Sequence, residues 1–185
     1  MYLIVGLGNP EEEYANTRHN MGFWTINELA KKYKIDVNRS NFKGIYGTGD
    51  IENEKVMLLK PQTYMNLSGD SINEVKKFYK LENKNIIVIF DDIELEPGSI
   101  RIRRSGGPGT HNGMRSVVDS LMTYNFTRIR VGIGKPEEGT ELIDYVIRKI
   151  AKKDEAKLKE GAIKAAEAVI EILKNGIESS MNKFN

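Results

Sequence analysis

Only two histidines occur in the chain, His19 and His111, and each is followed by an asparagine. An imidazole is the side chain best suited to accept a proton near neutral pH. An isolated histidine more often serves structure, but His19 belongs to the dense polar cluster Thr17–Asn20, directly before an apolar helical face. The pattern favours general-base chemistry and leaves open which of the two histidines is the base.

Asp91 and Asp92 end the most apolar segment of the sequence. Because successive strand residues point to opposite faces of a sheet, we expect only one of the two to face a given site. A carboxylate there could hold an imidazole in one tautomer and stabilise its protonated form. A divalent-cation site is the competing interpretation, built from four acidic residues: Asp91, Asp92, Glu94 and Glu96. Because these residues fit loop capping equally well, we predict no required metal.

Other nucleophiles and cofactors find little support in the sequence. The chain has no cysteine, and no serine lies in a G-x-S-x-G motif, so a histidine that activates water is the simplest hydrolytic arrangement. Gly6 and Gly8 suggest a dinucleotide-binding loop, but Glu11 stands where its third glycine belongs, and a carboxylate there would repel a pyrophosphate. We therefore predict no cofactor. A tight turn is enough to explain Gly6 and Gly8, but it does not explain why Asn9 follows them.

Basic residues cluster locally, although the net charge is only +2. Arg104 and Arg115 flank a glycine-rich loop, residues 106–113, whose backbone N–H groups could bind an anion. Phosphates of an RNA stem suit such a surface, and we predict contacts from these two arginines. Solvated surface is the alternative for the other basic residues, which lie on two predicted strands and the last helix: Arg101, Arg103, Arg128, Arg130, Lys152, Lys153, Lys157, Lys159 and Lys164.

Length and hydropathy define the elements that must position these residues. With 185 residues, of which 39% are hydrophobic and 29% charged, the chain suits one globular domain over residues 1–185. No segment approaches the roughly 18 consecutive apolar residues of a membrane span, and the first residues lack the basic region of a secretory signal. We therefore expect no membrane association and a cytoplasmic protein.

The apolar pattern predicts an α/β fold. Strands are predicted at residues 1–5, 43–50, 55–60, 86–90, 98–104 and 126–133, and helices at 20–33, 68–80, 113–122, 140–148 and 154–175. The second helix is expected to be capped at Ser68 and to bury Phe78 and Tyr79. The run Ile86–Phe90 has no alternation, which suits a central strand covered on both faces. We expect a three-layer α/β/α domain around a twisted mixed, mostly parallel sheet.

Four polar loops follow predicted strands, and ligands of open α/β sheets bind at strand ends, so we infer that these loops converge on one crevice. At compatible spacing they carry the motifs of a known family: Val5–Pro10 with Tyr14, Thr17–Asn20, Lys60–Gly69, Asp91–Gly98 and Gly106–Ser116. Over essentially its whole length, the chain resembles the bacterial peptidyl-tRNA hydrolases.

The resemblance implies hydrolysis of the ester that links a peptide to the 3′-terminal ribose of tRNA. This reaction recycles tRNA from peptidyl-tRNA released by stalled ribosomes. The resemblance also implies peptidyl-tRNA as the partner and a monomeric enzyme. A non-catalytic module that binds the tRNA end is the alternative function.

Carried over residue by residue, His19 matches the family's base and Asp91 the carboxylate that orients it. Asn9 matches the residue that distinguishes an N-acylated substrate from a free amine. Four residues match family positions that contact the tRNA end and the peptide: Tyr14, Tyr64, Asn66 and Asn112. Met65 matches a residue that lines the crevice, and His111 matches a residue that supports the base. The chain departs from the family's pattern at Glu11 and Thr110, which both replace loop glycines, and neither change removes a group that the reaction needs.

Overall fold

The computed structural model describes all of residues 1–185 and contains seven strands and six α-helices. The strands are β1 (Tyr2–Gly6), β2 (Arg39–Asn41), β3 (Gly44–Ile51), β4 (Glu54–Pro61), β5 (Ile86–Asp92), β6 (Ile100–Arg103) and β7 (Thr127–Gly132). The helices are α1 (Met21–Tyr33), α2 (Ser68–Tyr79), α3 (Asn112–Leu121), α4 (Leu142–Ile147), α5 (Lys152–Asn175) and α6 (Ile177–Phe184). No helix is both long and apolar enough to cross a bilayer.

The strands form one sheet in the order β2-β3-β4-β1-β5-β7-β6. The four inner strands, β4, β1, β5 and β7, run parallel, whereas β2, β3 and β6 are antiparallel to their neighbours. The carboxyl ends of the four inner strands therefore meet at one edge of the sheet. This arrangement confirms the predicted mixed, mostly parallel sheet.

Apolar side chains pack on both faces of the sheet, which gives the three layers that the sequence predicts. On one face, α1, α4 and α5 contribute to a cluster of 25 buried residues, against which α6 packs. On the other face, α2 and α3 contribute to a cluster of 17 buried residues. The residues of Ile86–Phe90 alternate between the two clusters, so this strand is covered on both sides, as its uninterrupted apolar sequence predicts.

The strands predicted at residues 43–50 and 55–60 are confirmed as β3 and β4, which form a hairpin, and β4 ends at Pro61. Glu52 and Asn53 form the two-residue turn of this hairpin, with φ of +48° and +69°. Positive φ at both positions is the geometry that matches the right-handed twist of paired strands.

Two details of the predicted α2 are wrong. Ser68 is the first residue of the helix, not its cap, and its hydroxyl donates to the Met65 carbonyl at 2.8 Å. Phe78 and Tyr79 are 68% and 40% exposed, because the end of α2 projects beyond the core. Their rings lie 4.9 Å apart between centroids and pack against Phe42.

The sequence did not predict β2 or α6, and α5 begins two residues earlier than expected. All three residues of β2 are exposed, so the strand has no apolar pattern. The helix α6 follows Gly176, which the sequence suggests only as a helix end. Beyond α6, the Asn185 side chain pairs with the backbone of Ile102 at 2.7 and 3.0 Å, and thereby covers the free edge of β6.

Candidate active site

The start of α1 lies against the carboxyl ends of β1 and β5. A Cβ atom at Gly22 would overlap the backbone of Leu7 and Ile89, so only glycine permits this approach. The residues just before α1 are thereby held at the strand ends, and His19 faces the end of β5. The predicted convergence of the first loop and β5 is therefore confirmed by the packing of α1.

Asp91 lies between the two histidines of the chain. Its Oδ2 is 2.9 Å from His19 Nδ1, and its Oδ1 is 2.8 Å from His111 Nε2. The Asp91 carboxylate is almost fully buried, and the imidazole centroids are 5.0 Å apart. One carboxylate at the end of β5 therefore binds both imidazoles.

The hydrogen bonds assign different tautomers to the two imidazoles. The Met114 backbone N–H, in the first turn of α3, donates to His111 Nδ1 at 3.1 Å. His111 Nδ1 is thus an acceptor, and its Nε2–H must donate to Asp91. His19 donates its Nδ1–H to the other carboxylate oxygen, and its Nε2 has no hydrogen-bond partner in the protein. His19 Nε2 is therefore an imidazole lone pair that is free to accept a proton.

The electrostatics of the pair favour a protonated His19. Burial disfavours the charged imidazole, but the charge and hydrogen bond of Asp91 outweigh it, and the pKa of His19 lies above its ordinary value. Burial alone would raise the pKa of Asp91, yet the two imidazoles together hold that pKa well below its usual range. Asp91 therefore remains a carboxylate, which is the state that stabilises an imidazolium.

Asn9 is fixed by three hydrogen bonds. Its backbone N–H donates to Asn20 Oδ1 at 2.8 Å, and its carbonyl accepts from Asn20 Nδ2 at 3.0 Å. Its side-chain Oδ1 accepts from the Met65 N–H at 2.7 Å, which joins the loop after β1 to the loop after β4. The side-chain Nδ2 of Asn9 has no protein partner, and the bond from Met65 to Oδ1 fixes the direction in which its N–H donors point.

The loop after β4 brings three more predicted residues to this edge. Tyr64 has φ of +62°, a conformation that costs energy in a non-glycine residue and often marks a functional site. Its exposed hydroxyl donates to the Glu11 carboxylate, so Glu11 ties the first loop to this one. Met65 is buried and Asn66 is exposed. Tyr14 is half-buried in a 3-10 turn of the first loop, and its carbonyl accepts from the Thr17 hydroxyl.

A cavity of about 570 Å³ opens beside the two histidines. Its polar wall includes His19, Asp91, His111 and Asn112, and the glycine-rich loop forms a further wall. The remaining wall is apolar and consists of Phe90, Ile93, Leu142, Ile143 and Val146. Thr110, one of the two departures from the family pattern, lies in the glycine-rich wall.

The arginines of the cavity are not the two that the sequence singled out. Arg104 pairs with Glu178, Arg115 donates to the Gly109 carbonyl at 3.4 Å, and neither lines the cavity. Arg103 and Arg130 do line it, and Arg130 also pairs with Asp92. The alternating arginines of β6 and β7 were the signal for these residues, but alternation does not tell which face meets the cavity.

Arg128 supports the glycine-rich loop. Its side chain is buried, and its guanidinium donates to the carbonyls of Gly106, Tyr124 and Phe126 at 2.6 to 3.2 Å. Burial lowers the pKa of Arg128 to about 10. Its donors are therefore used by the fold, not offered to a ligand.

The acidic residues considered for a metal do not converge. Asp92 pairs with Arg130, and Glu94 pairs with Lys135 at 3.5 Å, so both carboxylates have cationic partners. The group whose potential ligand atoms lie within 4.8 Å of one another is His19, Asp91 and His111. The hydrogen bonds within that group account for its arrangement.

The fold is that of a single-domain α/β protein. At the carboxyl ends of its strands lie an aspartate-bound imidazole and fixed amide groups, which are the groups that general-base hydrolysis uses. A family model described as peptidyl-tRNA hydrolase matches residues 3–185. The chain belongs to the peptidyl-tRNA hydrolase family.

Individual relatives agree with this assignment over nearly their full lengths. The peptidyl-tRNA hydrolase of Clostridium botulinum (strain Alaska E43 / Type E3) is 55% identical over 185 residues, covering 100% of this chain and 96% of the relative. That of Caldanaerobacter subterraneus is 50% identical, with 100% of both chains covered. The crystal structure of the Acinetobacter baumannii peptidyl-tRNA hydrolase matches with a TM-score of 0.92 and 39% identity, covering 99% of this chain and 93% of that one.

Proposed function

We propose that the chain hydrolyses the ester bond between a peptide, or an N-blocked amino acid, and the 3′-terminal ribose of tRNA. Membership of the peptidyl-tRNA hydrolase family supports the substrate class. The observation that carries the chemistry is the His19–Asp91 pair, in which Asp91 holds Nδ1 and Nε2 has no protein partner. His19 is accordingly the catalytic base.

The reaction needs one proton relay and no covalent enzyme intermediate. His19 Nε2 accepts a proton from water while the water oxygen attacks the ester carbonyl. As the tetrahedral intermediate collapses, the C–O bond to the ribose breaks and the imidazolium returns the proton to the leaving oxygen. Asp91 stabilises the imidazolium between these steps. The products are a peptide with a free carboxylate and a tRNA with a free terminal hydroxyl.

Asn9 is the residue that we assign to substrate discrimination and oxyanion stabilisation. Because Met65 holds its Oδ1, its Nδ2 has a fixed direction and can donate either to a peptide carbonyl or to the developing oxyanion. A free ammonium group offers no such acceptor and would be desolvated beside a donor. N-acylated substrates are thereby favoured over aminoacyl-tRNA.

The remaining assigned residues bind the ends of the substrate. Tyr14, Tyr64, Met65, Asn66 and Asn112 contact the tRNA end and the peptide. His111 supports the base, because its Nε2–H satisfies one oxygen of Asp91 without adding a second acceptor to the site. The enzyme works as a cytoplasmic monomer that returns tRNA to translation.

Turnover of N-acetylated aminoacyl-tRNA, compared with the same tRNA carrying a free amine, tests the proposal. We expect catalytic release of the N-blocked amino acid and much slower release of the free one. Saturable binding of both substrates without ester cleavage would instead identify the chain as a module that binds the tRNA end.

A further inference from the structure

A second cleft, of about 730 Å³, lies next to the catalytic motif, and we call it the rear cleft. Arg18 lines the rear cleft, whereas the adjacent His19 lines the catalytic cavity. The first residues of α5 and the Tyr145 ring form further parts of its wall. None of the residues assigned to ester hydrolysis lines this cleft.

Arg18 is short of hydrogen-bond acceptors. It is only 6% exposed, and its guanidinium lies 4.5 Å from the centroid of the Tyr145 ring. Its one hydrogen bond joins Nη2 to Asp154 Oδ2 at 3.3 Å, and its Nε is buried without a partner. A guanidinium has five N–H donors, and buried polar groups normally have partners. Nε itself is sealed from the cleft, whereas Nη1 forms no hydrogen bond in the protein and is the donor that an acceptor-rich ligand in the rear cleft would meet.

The rear cleft carries an excess of positive charge. Six cationic residues line it, against three carboxylates: Arg18, Lys135, Arg148, Lys149, Lys153 and Lys157 against Glu96, Glu137 and Asp154. Glu137 is paired with Arg148 at 2.8 Å and Asp154 with Arg18, while Lys135 and Lys157 pair with Glu94 and Glu160 outside the lining. Lys149 and Lys153 form no ion pair, so their charges are available to a bound anion.

The start of α5 adds to this field. The helix has 24 residues, and its cap position, Ala151, provides no side-chain acceptor for the first amides. The start of α5 lines the cleft through Ala151, Lys153 and Asp154, so the positive end of the helix dipole lies beside Arg18, partly offset by Asp154 and Glu155 of the first turn. A compact anion with several oxygens is the ligand that suits both the planar guanidinium and the lysine charges.

We propose that the rear cleft binds a phosphate-class anion, which is either a phosphate of an RNA backbone or a small free phosphate compound. The site is directly connected to the catalytic motif, because Thr17 forms a β-bridge with Lys149 and the Ile150 N–H donates to the Asn16 carbonyl at 2.9 Å. A bound phosphate would fasten residues 148–151 to the segment that carries His19.

Titration of the full chain with pyrophosphate tests the site. Calorimetry measures the binding, and NMR monitors the signals of Arg18 Nε–H and of the amides of residues 151–154. We expect saturable binding that shifts these signals. The double variant Lys149→Gln/Lys153→Gln should bind about fivefold more weakly, the loss expected from two exposed charge contacts. The matched control is Lys77→Gln/Lys174→Gln, which removes two exposed charges outside the cleft.

The proposal is overturned if pyrophosphate does not saturate the chain, or if the cleft variant and the control bind it equally well. A tRNA acceptor-stem hairpin distinguishes the two sources of phosphate. Competition between pyrophosphate and the hairpin, with weaker hairpin binding by the cleft variant, identifies an RNA phosphate as the ligand. Unchanged hairpin binding with reduced pyrophosphate binding identifies a small free phosphate compound. Neither measurement depends on ester hydrolysis, so the outcome is separate from that of the proposed reaction.

Discussion

The two imidazoles that contact Asp91 differ in how many of their ring nitrogens are already hydrogen-bonded. His111 uses both ring nitrogens, one on Asp91 and one on the start of α3, so a second proton would break its bond with the Met114 N–H. His19 uses only Nδ1. In the sequence each residue precedes an asparagine, and the family resemblance alone points to His19 as the base; the hydrogen-bond pattern supplies the physical reason, because it leaves only His19 with an unused ring nitrogen.

Replacement of the proposed base is the most direct test at this scale. His19→Asn should reduce kcat for N-acetylated aminoacyl-tRNA by about 10²–10⁴, the usual contribution of a general base. Binding of the substrate should be retained, because the assigned tRNA contacts lie on other residues. His111→Asn is the matched control and should lose less, since His19 keeps its bond with Asp91. Turnover by His19→Asn at the wild-type rate would contradict the assignment.

The raised pKa of His19 predicts a pH dependence. The neutral imidazole is the active form, so kcat/KM should rise with pH and reach half its maximum above pH 6.5, the ordinary pKa of histidine. Asp91→Asn removes the charge that raises this pKa and leaves the burial that lowers it. The midpoint of the residual activity should therefore move to lower pH.

Asp92→Asn provides the control for this pH profile. It removes the same charge one residue along β5, but its carboxylate pairs with Arg130 and does not contact His19. We expect the midpoint of kcat/KM to stay near the wild-type value. Equal midpoints for Asp91→Asn and the wild type would show that Asp91 does not set the pKa of His19.

Among the elements, the glycine-rich loop depends on a neighbouring strand. Arg128→Met removes the donors of three backbone carbonyls while keeping much of the side-chain volume. Because the variant loses several hydrogen bonds of a buried cation, the free energy of unfolding should fall by about 2–4 kcal/mol in urea titrations. Arg39→Met, on the exposed β2, should change it by less than about 0.5 kcal/mol. Equal losses in both variants would exclude this supporting role.

Most elements could be predicted from the sequence because their apolar periodicity is strong. The run Ile86–Phe90 and the β3–β4 hairpin are examples. The strand β2 could not be predicted, since its three exposed residues bury nothing and its pairing with β3 alone defines it. Phe78 and Tyr79 were wrongly predicted to be buried, because the apolar periodicity of α2 continues past the point where the core ends.

The candidate site was predictable to a similar extent. The loops and the acidic strand end could be placed because parallel strands expose their carboxyl ends at one edge. The arginines could not be placed, since Arg103 and Arg104 are adjacent and their directions depend on how β6 pairs with β7. Charge patterning thus identified the basic strands but not the residues that meet the cavity.

For the whole molecule, binding of tRNA should weaken with salt, because phosphate contacts release counterions. Arg103 and Arg130 line the cavity. We therefore expect Arg103→Gln and Arg130→Gln each to make the negative slope of log affinity against log salt shallower by about 1. Arg104→Gln should change the slope less, since that arginine lies outside the cavity. Filter binding at several salt concentrations measures these slopes.

The reverse ranking would support the sequence-based assignment. If Arg104→Gln and Arg115→Gln reduced the slope while the two cavity variants did not, the RNA would approach from the outer side of the glycine-rich loop. A slope that no variant changes would exclude all four arginines as phosphate contacts.

The position of β1 between β4 and β5 has a consequence for synthesis of the chain. Of the seven strands, β1 is translated first, yet its two hydrogen-bonding edges need partners that are translated at residues 54–61 and 86–92. His19 likewise emerges long before Asp91. A nascent chain is therefore expected to carry an unassembled, inactive centre until β5 has left the exit tunnel, so the enzyme cannot cleave the linkage that still holds it to its own tRNA during early elongation.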